Sequence, residues 1–362
     1  MSDIQVDGKQ LVMQVLLDAQ DNYSVCGYAE RMEAAFGLIF LGLDKNDPEY
    51  AAQSGAAVAA IGAISERAAF NTALAATRSF MQSLGGASTF KMKDLSDQVL
   101  AAVCTLWFDL PDGVDVITSG STAPWAPANC PGHYGPPSGY IFQPDPGIAL
   151  RVLGKLDGGV LRSEVAKFVA RQRQAGIPPN GILSSALFAA FPNSPAQDDL
   201  LTRTLIGVMM GFLPTAQGNL VAVAKAWKDQ MFGVLRAAFI SHPEPDLYLR
   251  ANQVIRDPMI EAMQAEPTPP KIWRTAKSDH MLGQTQVRAG DRLYINIDSA
   301  THEDLAALNR DPFPIFGGDR SQNPHPTHAC PGFKAAMGVL LGIFAGAMET
   351  AGGPDISTGW FS

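Results

Sequence analysis

Apolar residues recur at helical spacing along most of the chain. In the first part, for example, Ala29, Met32, Phe36 and Ile39 fall three or four positions apart, which places them on one face of a helix. The pattern predicts helices over 8–43, 47–84 (as two helices), 94–109, 147–175, 181–191, 198–228, 229–240 and 246–264. Short apolar segments around 287–296 predict a hairpin instead. We therefore expect a mainly α protein with a small β region.

Residues 111–147 interrupt this pattern because they are rich in proline and glycine. A loop of this length inside a compact domain is often functional. Its aromatic residues suggest that it packs against the protein, so it is a candidate flap over a substrate channel. These residues are Trp125, Tyr134, Tyr140 and Phe142. The string Cys130-Pro131-Gly132 is expected to precede no helix and to have no function.

Composition and charge narrow the class of protein. The chain has 362 residues, of which 46% are hydrophobic and 17% charged, enough for a large core in one domain over 1–362. A net charge of −8 without a basic stripe argues against nucleic-acid binding. The four cysteines are widely spaced without a C-x-x-C pair, which argues against disulfides or a zinc site and favours a reducing compartment.

Targeting and common catalytic motifs are absent from the sequence. The first residues are polar, unlike a signal peptide. The longest apolar run, Met337 to Met348, is shorter than the roughly 18 residues of a membrane span, so we expect a cytoplasmic protein. There is no G-x-S-x-G, Walker A, G-x-G-x-x-G or H-E-x-x-H string, so hydrolase, NTPase, dinucleotide and histidine–metal functions have no support.

The segment 323–333 is the candidate reactive centre, because Cys330 lies just before Pro-Gly and a long apolar stretch. A helix N-terminus stabilises a thiolate through its dipole and its unpaired N–H groups. A thiolate that binds iron would favour cleavage of an O–O bond. The alternative is an inert cysteine that caps a helix.

The string His328-Ala329-Cys330-Pro331-Gly332, followed by an Ala/Gly/Met-rich helix, resembles the cysteine-ligand loop of the cytochrome P450 superfamily. The resemblance implies a haem b with Cys330 as iron ligand and His328 as a propionate contact. It also matches Arg274, in Trp273-Arg274-Thr275-Ala276, to an arginine that binds a propionate. Phe316 and Gly332 would lie beside the ligand loop. Arg67 or Arg78 could also reach a propionate. The alternative is that both arginines simply lie on a solvated helix face.

Several further strings follow the order of that family between residues 198 and 349. Residues 283–296 resemble its strand pair, 299–304 its A-N-R-D segment, and 311–320 its D-P-x-x-F-x-x-x-R segment. Residues 1–197 diverge, and no N-terminal sheet is evident there. The arginine of the family's Glu-x-x-Arg pair is Gln264 here, which would leave Arg320 to pair with Glu261 alone. The loop from Arg320 to Cys330 is shortened.

The predicted helix 198–228 resembles the helix that crosses above the haem in this family. Pro214 and two nearby glycines predict a kink or a widened turn in it. Monooxygenases carry an acid before the threonine at this point, whereas Pro214 precedes Thr215 here. The string Thr215-Ala216-Gln217-Gly218-Asn219 is instead similar to the amide-bearing segments of prostacyclin synthase and fungal fatty-acid diol synthases.

An amide can hydrogen-bond a peroxide oxygen and orient it, but it cannot relay protons at neutral pH as a carboxyl group can. We therefore assign candidate catalytic roles to Asn219, Gln217 and Thr215. The alternative is that Gln217 and Asn219 only satisfy backbone groups freed by the kink.

The resemblance as a whole implies a shortened P450-like haem-thiolate enzyme acting on an organic or fatty-acid (hydro)peroxide. Such an isomerase or lyase would need neither O₂ nor a reductase, so no redox partner is expected. The first alternative is a monooxygenase or an H₂O₂-dependent peroxygenase, and the second is a non-catalytic haem-binding or haem-free scaffold.

Overall fold

The structure is a computed structural model that describes residues 2–84, 92–109, 130–228, 230–322 and 326–349. Helices dominate these residues, and the strands are few and short. The helices are α1 Lys9–Leu17, α2 Ala29–Ala35, α3 Pro48–Gly62, α4 Glu66–Ser83, α5 Met92–Phe108, α6 Cys130–Phe142, α7 Ile148–Ala175, α8 Ile182–Ala190, α9 Pro195–Ala226, α10 Gln230–Ser241, α11 Leu247–Val254, α12 Arg256–Ala265, α13 Ile297–Ala306 and α14 Phe333–Glu349. The predicted class, mainly α with a small β region, is confirmed.

The strands form one four-stranded sheet and one hairpin. They are β1 Asp3–Val6, β2 Tyr23–Ser24, β3 Lys271–Ala276, β4 His280–Leu282, β5 Thr285–Val287 and β6 Arg292–Asn296. The sheet has the order β1-β6-β3-β2, with β1 parallel to β6. The N-terminal part therefore does contribute to a sheet. Its strands have only four and two residues, too short for an alternating pattern to show.

The single helix expected over 8–43 is divided. It ends at Leu17 because Asp18 and Asp21 adopt positive φ. The Asp18 carboxylate accepts hydrogen bonds from the backbone N–H groups of Asn22 and Tyr23. Such local bonds offer the backbone an alternative to the helix.

The expected helix 246–264 is likewise divided, into α11 and α12, at Ile255. Pro258 lacks the N–H that would bond to the carbonyl of Val254, so a single helix cannot run through this point without losing a bond.

The proline-rich region 111–147 contains a helix that the sequence pattern did not predict. Residues 110–129, including Trp125, lie outside the described part of the chain. Helix α6 begins at Cys130, so the expectation that Cys130-Pro131-Gly132 precedes no helix was wrong. The Arg31 guanidinium supports the end of α6, because it donates to the carbonyl oxygens of Tyr140, Ile141, Gln143 and Pro144.

Helix α9 spans 32 residues without interruption, as expected for 198–228, and Pro214 lies inside it. The Thr215 hydroxyl donates to the carbonyl oxygens of Gly211 and Phe212, in the turn before the proline. Among the described helices, α9 is the one with the length and apolar composition to cross a membrane. However, 61% of its most apolar stretch is buried inside the protein, as is typical of a core helix.

The contacts that Gln264, Glu261 and Arg320 make differ from those predicted from the sequence. The Gln264 amide is fully buried and donates to the carbonyl oxygens of Asn309 (2.8 Å) and Asp311 (3.1 Å). Glu261 pairs with Arg310, not with Arg320 as expected. Arg320 instead donates to the carbonyl oxygen of Ala329 at 3.0 Å, where it supports the loop that leads to Cys330.

Helix α14 packs closely against α4 through a row of glycines at Gly338, Gly342 and Gly346. A Cβ atom at Gly338 or Gly342 would overlap a backbone oxygen of α4, and one at Gly346 would lie 2.7 Å from the Thr77 side chain. The two helices can approach this closely only because these positions lack side chains. The packing fixes the helix that follows Cys330.

We predict that Gly342→Val lowers the free energy of unfolding by at least about 2 kcal/mol, because the side chain has no room beside Phe70. Denaturant unfolding followed by circular dichroism would measure it. Gly159→Ala is the control. A Cβ atom at this α7 glycine would have no other atom within 4 Å, so the substitution should raise the free energy of unfolding by about 0.5–1 kcal/mol. Equal effects of the two substitutions would contradict the packing argument.

Candidate active site

A cavity of about 320 Å³ is bounded by α9 and by the segment 314–340, which includes the Cys330 loop and the first turns of α14. This volume falls in the range of small-molecule sites. Its walls are mostly apolar. The aromatic residues in the lining include Tyr28, Phe40, Trp107, Phe108, Phe142, Phe212 and Phe316.

The half-buried Cys330 lies in the lining of this cavity, just before α14. Its backbone N–H donates to the Phe316 carbonyl oxygen at 2.8 Å. Burial raises the pKa of the Cys330 thiol, while the Gly332 N–H bonded to the sulfur and the positive charge of Arg320 lower it. Burial has the largest effect, so the pKa of the thiol is raised overall. The loop presents a soft sulfur donor, and the Gly332 N–H and Arg320 are the groups that would stabilise its thiolate when the sulfur binds a metal.

Arg274, on β3, adds positive charge to the same cavity. Its guanidinium donates to the Trp273 carbonyl oxygen at 2.9 Å and to the Tyr28 hydroxyl at 3.3 Å. No described carboxylate lies within salt-bridge distance of it. A cation beside a cavity without a paired carboxylate is suited to binding an anionic group.

His328 also lines the cavity, and its ring packs against Tyr50 with the ring centroids 5.8 Å apart. Burial, followed by the positive charges of Arg274, Lys277 and Arg320, lowers the pKa of His328 to about 3. The ring is therefore neutral at pH 7, and it can donate a hydrogen bond without adding charge.

Thr215 and Asn219 line the cavity from α9. Asn219 is 3% exposed, and its Oδ1 has no hydrogen-bond partner among the described residues. A buried amide oxygen without a partner costs free energy, so it marks a position where a bound molecule could donate.

The Gln217 side chain does not join Thr215 and Asn219. Its Nε2 donates to Asp97 Oδ1 on α5 at 2.9 Å, and Gln217 is absent from the cavity lining. The helical period explains the separation: residues four positions apart share a face, whereas one midway between them points elsewhere. The sequence analysis assigned all three side chains to one site from the resemblance of the string 215–219, without separating the faces of the helix.

Of the remaining residues predicted from the sequence, some line the cavity and others do not. Phe316 and Gly332 are in the lining. Arg67 pairs with Asp246, and Arg78 with Glu349, both in exposed positions away from the cavity. The interpretation of the two arginines as a solvated helix face therefore fits the structure.

Some polar lining residues carried no signal in the sequence. Tyr28 is buried, and its hydroxyl donates to the Trp273 carbonyl oxygen at 2.8 Å and accepts from the Trp273 N–H at 3.1 Å. Ser138 and Thr268 also line the cavity. These three residues belong to distant segments, so only the folded chain brings them together.

The residues around the cavity fit a haem. Cys330 offers the sulfur donor, Arg274 offers an uncompensated positive charge for a carboxylate, and His328 offers a neutral hydrogen-bond donor. The small residues Gly332, Ala335 and Ala336 form the wall beside the sulfur. This donor set differs from a hydrophilic metal site, since no group of three metal-ligating side chains occurs in the described residues.

Comparison with known proteins identifies the fold. No family profile matches the chain, and no curated protein matches it in sequence. Its structure is similar to that of a mutant of P450 EryK in complex with erythromycin B, with a TM-score of 0.66 and 16% sequence identity. The similarity covers 95% of this chain and 82% of the other. The chain therefore has the fold of a cytochrome P450.

Proposed function

We propose that the chain is a haem-thiolate enzyme whose iron ligand is Cys330. The observation that carries this proposal is the meeting of three groups around one apolar cavity: the Cys330 thiol, the unpaired Arg274 guanidinium and the buried Asn219 amide. Arg274 and His328 would hold the propionates of haem b, beside Phe316 and Gly332. When bound, a thiolate-ligated haem iron supplies the means to cleave an O–O bond.

The substrate class that we propose is an organic (hydro)peroxide, converted without O₂ or a reductase. No carboxyl group occurs among the described residues of the cavity lining, and Pro214 precedes Thr215. The Asp97 carboxylate near α9 is bonded to Gln217, outside that lining. These residues therefore offer no side-chain acid to deliver protons to dioxygen, whereas a peroxide already contains the O–O bond.

Asn219 would orient the peroxide. Its unpaired Oδ1 can accept a hydrogen bond from a hydroperoxide O–H, and its amide nitrogen can donate to a peroxide oxygen. The Thr215 hydroxyl already donates to backbone carbonyls, so it would act as an acceptor. The apolar walls would exclude water from the bound peroxide.

We predict that haem-loaded wild-type protein gives a thiolate-type band in the ferrous–CO difference spectrum. Cys330→Ala should lose that band, because it removes the sulfur donor from the cavity. Cys26→Ser is the matched control: Cys26 is exposed and lies outside the lining, so the band should persist. Survival of the band in Cys330→Ala would remove the assignment.

Asn219→Leu should slow turnover of an organic hydroperoxide by about 100-fold, with unchanged haem content, because it removes the orienting amide. Gln217→Leu, two positions away on the same helix but outside the cavity, should keep its turnover within about twofold. Stopped-flow mixing with the hydroperoxide measures both rates. If turnover requires NAD(P)H and a reductase instead, the chain is a monooxygenase.

His328 should make the haem-free protein sensitive to acid. Its folded-state pKa of about 3 lies below the unfolded value of about 6.5, so the unfolded chain takes up the proton first. Stability is therefore lost as the pH falls from about 6.5 towards 3. Urea midpoints at pH 7 and pH 5 should differ less in His328→Gln than in the wild type, and equal differences would contradict the buried neutral ring.

A further inference from the structure

Building on the proposed function, we infer that the substrate is an uncharged lipophilic hydroperoxide, such as a hydroperoxy ester, and that a free fatty-acid anion is rejected. The inference concerns which class of peroxide the cavity accepts. It depends on the distribution of charge around the cavity lining.

The positive charge of the lining lies next to the proposed iron ligand. Among the described lining residues, Arg274 is the cationic side chain, and His328 is a neutral hydrogen-bond donor. His328 is two residues from Cys330, and the Arg274 charge acts on it directly. In a haem-loaded protein the propionates would occupy both, which leaves neither for a substrate carboxylate.

The rest of the described lining is neutral. Trp107, Phe108, Phe142, Leu183 and Phe212 supply its apolar surface from four different helices. The other polar side chains of the described lining, apart from Cys330, are uncharged: Tyr28, Ser138, Thr215, Asn219 and Thr268. An ester or an alcohol can bind such groups, whereas a carboxylate would lose its hydration without gaining a counter-charge.

Two of the described cations near α6, Arg31 and Arg151, are already engaged. Arg31 donates to four backbone carbonyl oxygens at the end of α6, and Arg151 donates to the Pro146 carbonyl oxygen at 2.7 Å. Residues 110–129, which join α5 to α6 in sequence, contain Asp112 and Asp115 but no lysine, arginine or histidine. Neither these two arginines nor residues 110–129 therefore offer a free positive charge to the carboxylate of a substrate.

The test compares an unreactive pair of ligands, a hydroxy fatty acid and its methyl ester, with haem-loaded protein. Their dissociation constants can be measured by calorimetry and by the change in haem absorption. We expect the ester to bind at least about 100-fold more tightly, because burial of an unpaired carboxylate is unfavourable. Equal affinities, tighter binding of the acid, or no binding of either ligand would overturn the inference.

A cation introduced into the lining should reverse the preference. Leu41→Lys places one at a half-buried lining position, and the ester-to-acid ratio should fall by at least about tenfold. Leu106→Lys is the matched control, since Leu106 is 56% exposed and lies outside the lining. It should leave the ratio unchanged, and an equal effect of both lysines would count against the charge argument.

The wild-type spectrum separates this inference from the proposed function. If the acid binds haem-loaded wild type as tightly as the ester, the inference is wrong. The thiolate band of the wild type would still support the haem-thiolate proposal. Failure of the wild type to take up haem would instead appear in the spectrum before any ligand is added.

Discussion

The position of one sulfur atom depends on how the loop before α14 is anchored. This loop has little regular structure, yet the Cys330 N–H is bonded to the Phe316 carbonyl and Arg320 holds the Ala329 carbonyl. On its other side, α14 is fixed to α4 by glycines that let the two backbones approach closely. Both constraints act on backbone atoms, so the sulfur is positioned without relying on the packing of its own side chain.

Helices with a strong periodic pattern were accessible from the sequence, because burial of one face leaves a regular trace. The helix α7 and the pair α3 and α4 have nearly the predicted bounds. Helix α6 was missed because it depends on hydrogen bonds that proline and glycine frequencies do not report. It forms in a proline-rich segment where Arg31 binds its terminal carbonyls.

The candidate site was predictable to the extent that a motif fixes a residue locally. Cys330, His328 and Arg274 come from separate strings and meet in the lining of one cavity. Gln217 and Arg320 could not be placed from strings alone. The first depends on which face of a continuous helix it occupies, and the second on the competing Arg310, which takes Glu261. Tyr28 left no local pattern at all.

Charge is distributed unevenly around the cavity, and this unevenness connects the cofactor with the substrate. Arg274 is a cation that the described carboxylates leave unpaired, and burial together with the neighbouring positive charges keeps His328 neutral. An anion at this end of the cavity would pair with Arg274 and would also offset the positive charge around His328. At α9 the situation is inverted, since Asn219 offers an unpaired acceptor within neutral walls. One end thus favours negative charge and the other favours a neutral hydrogen-bond donor, so the two ends select chemically different partners.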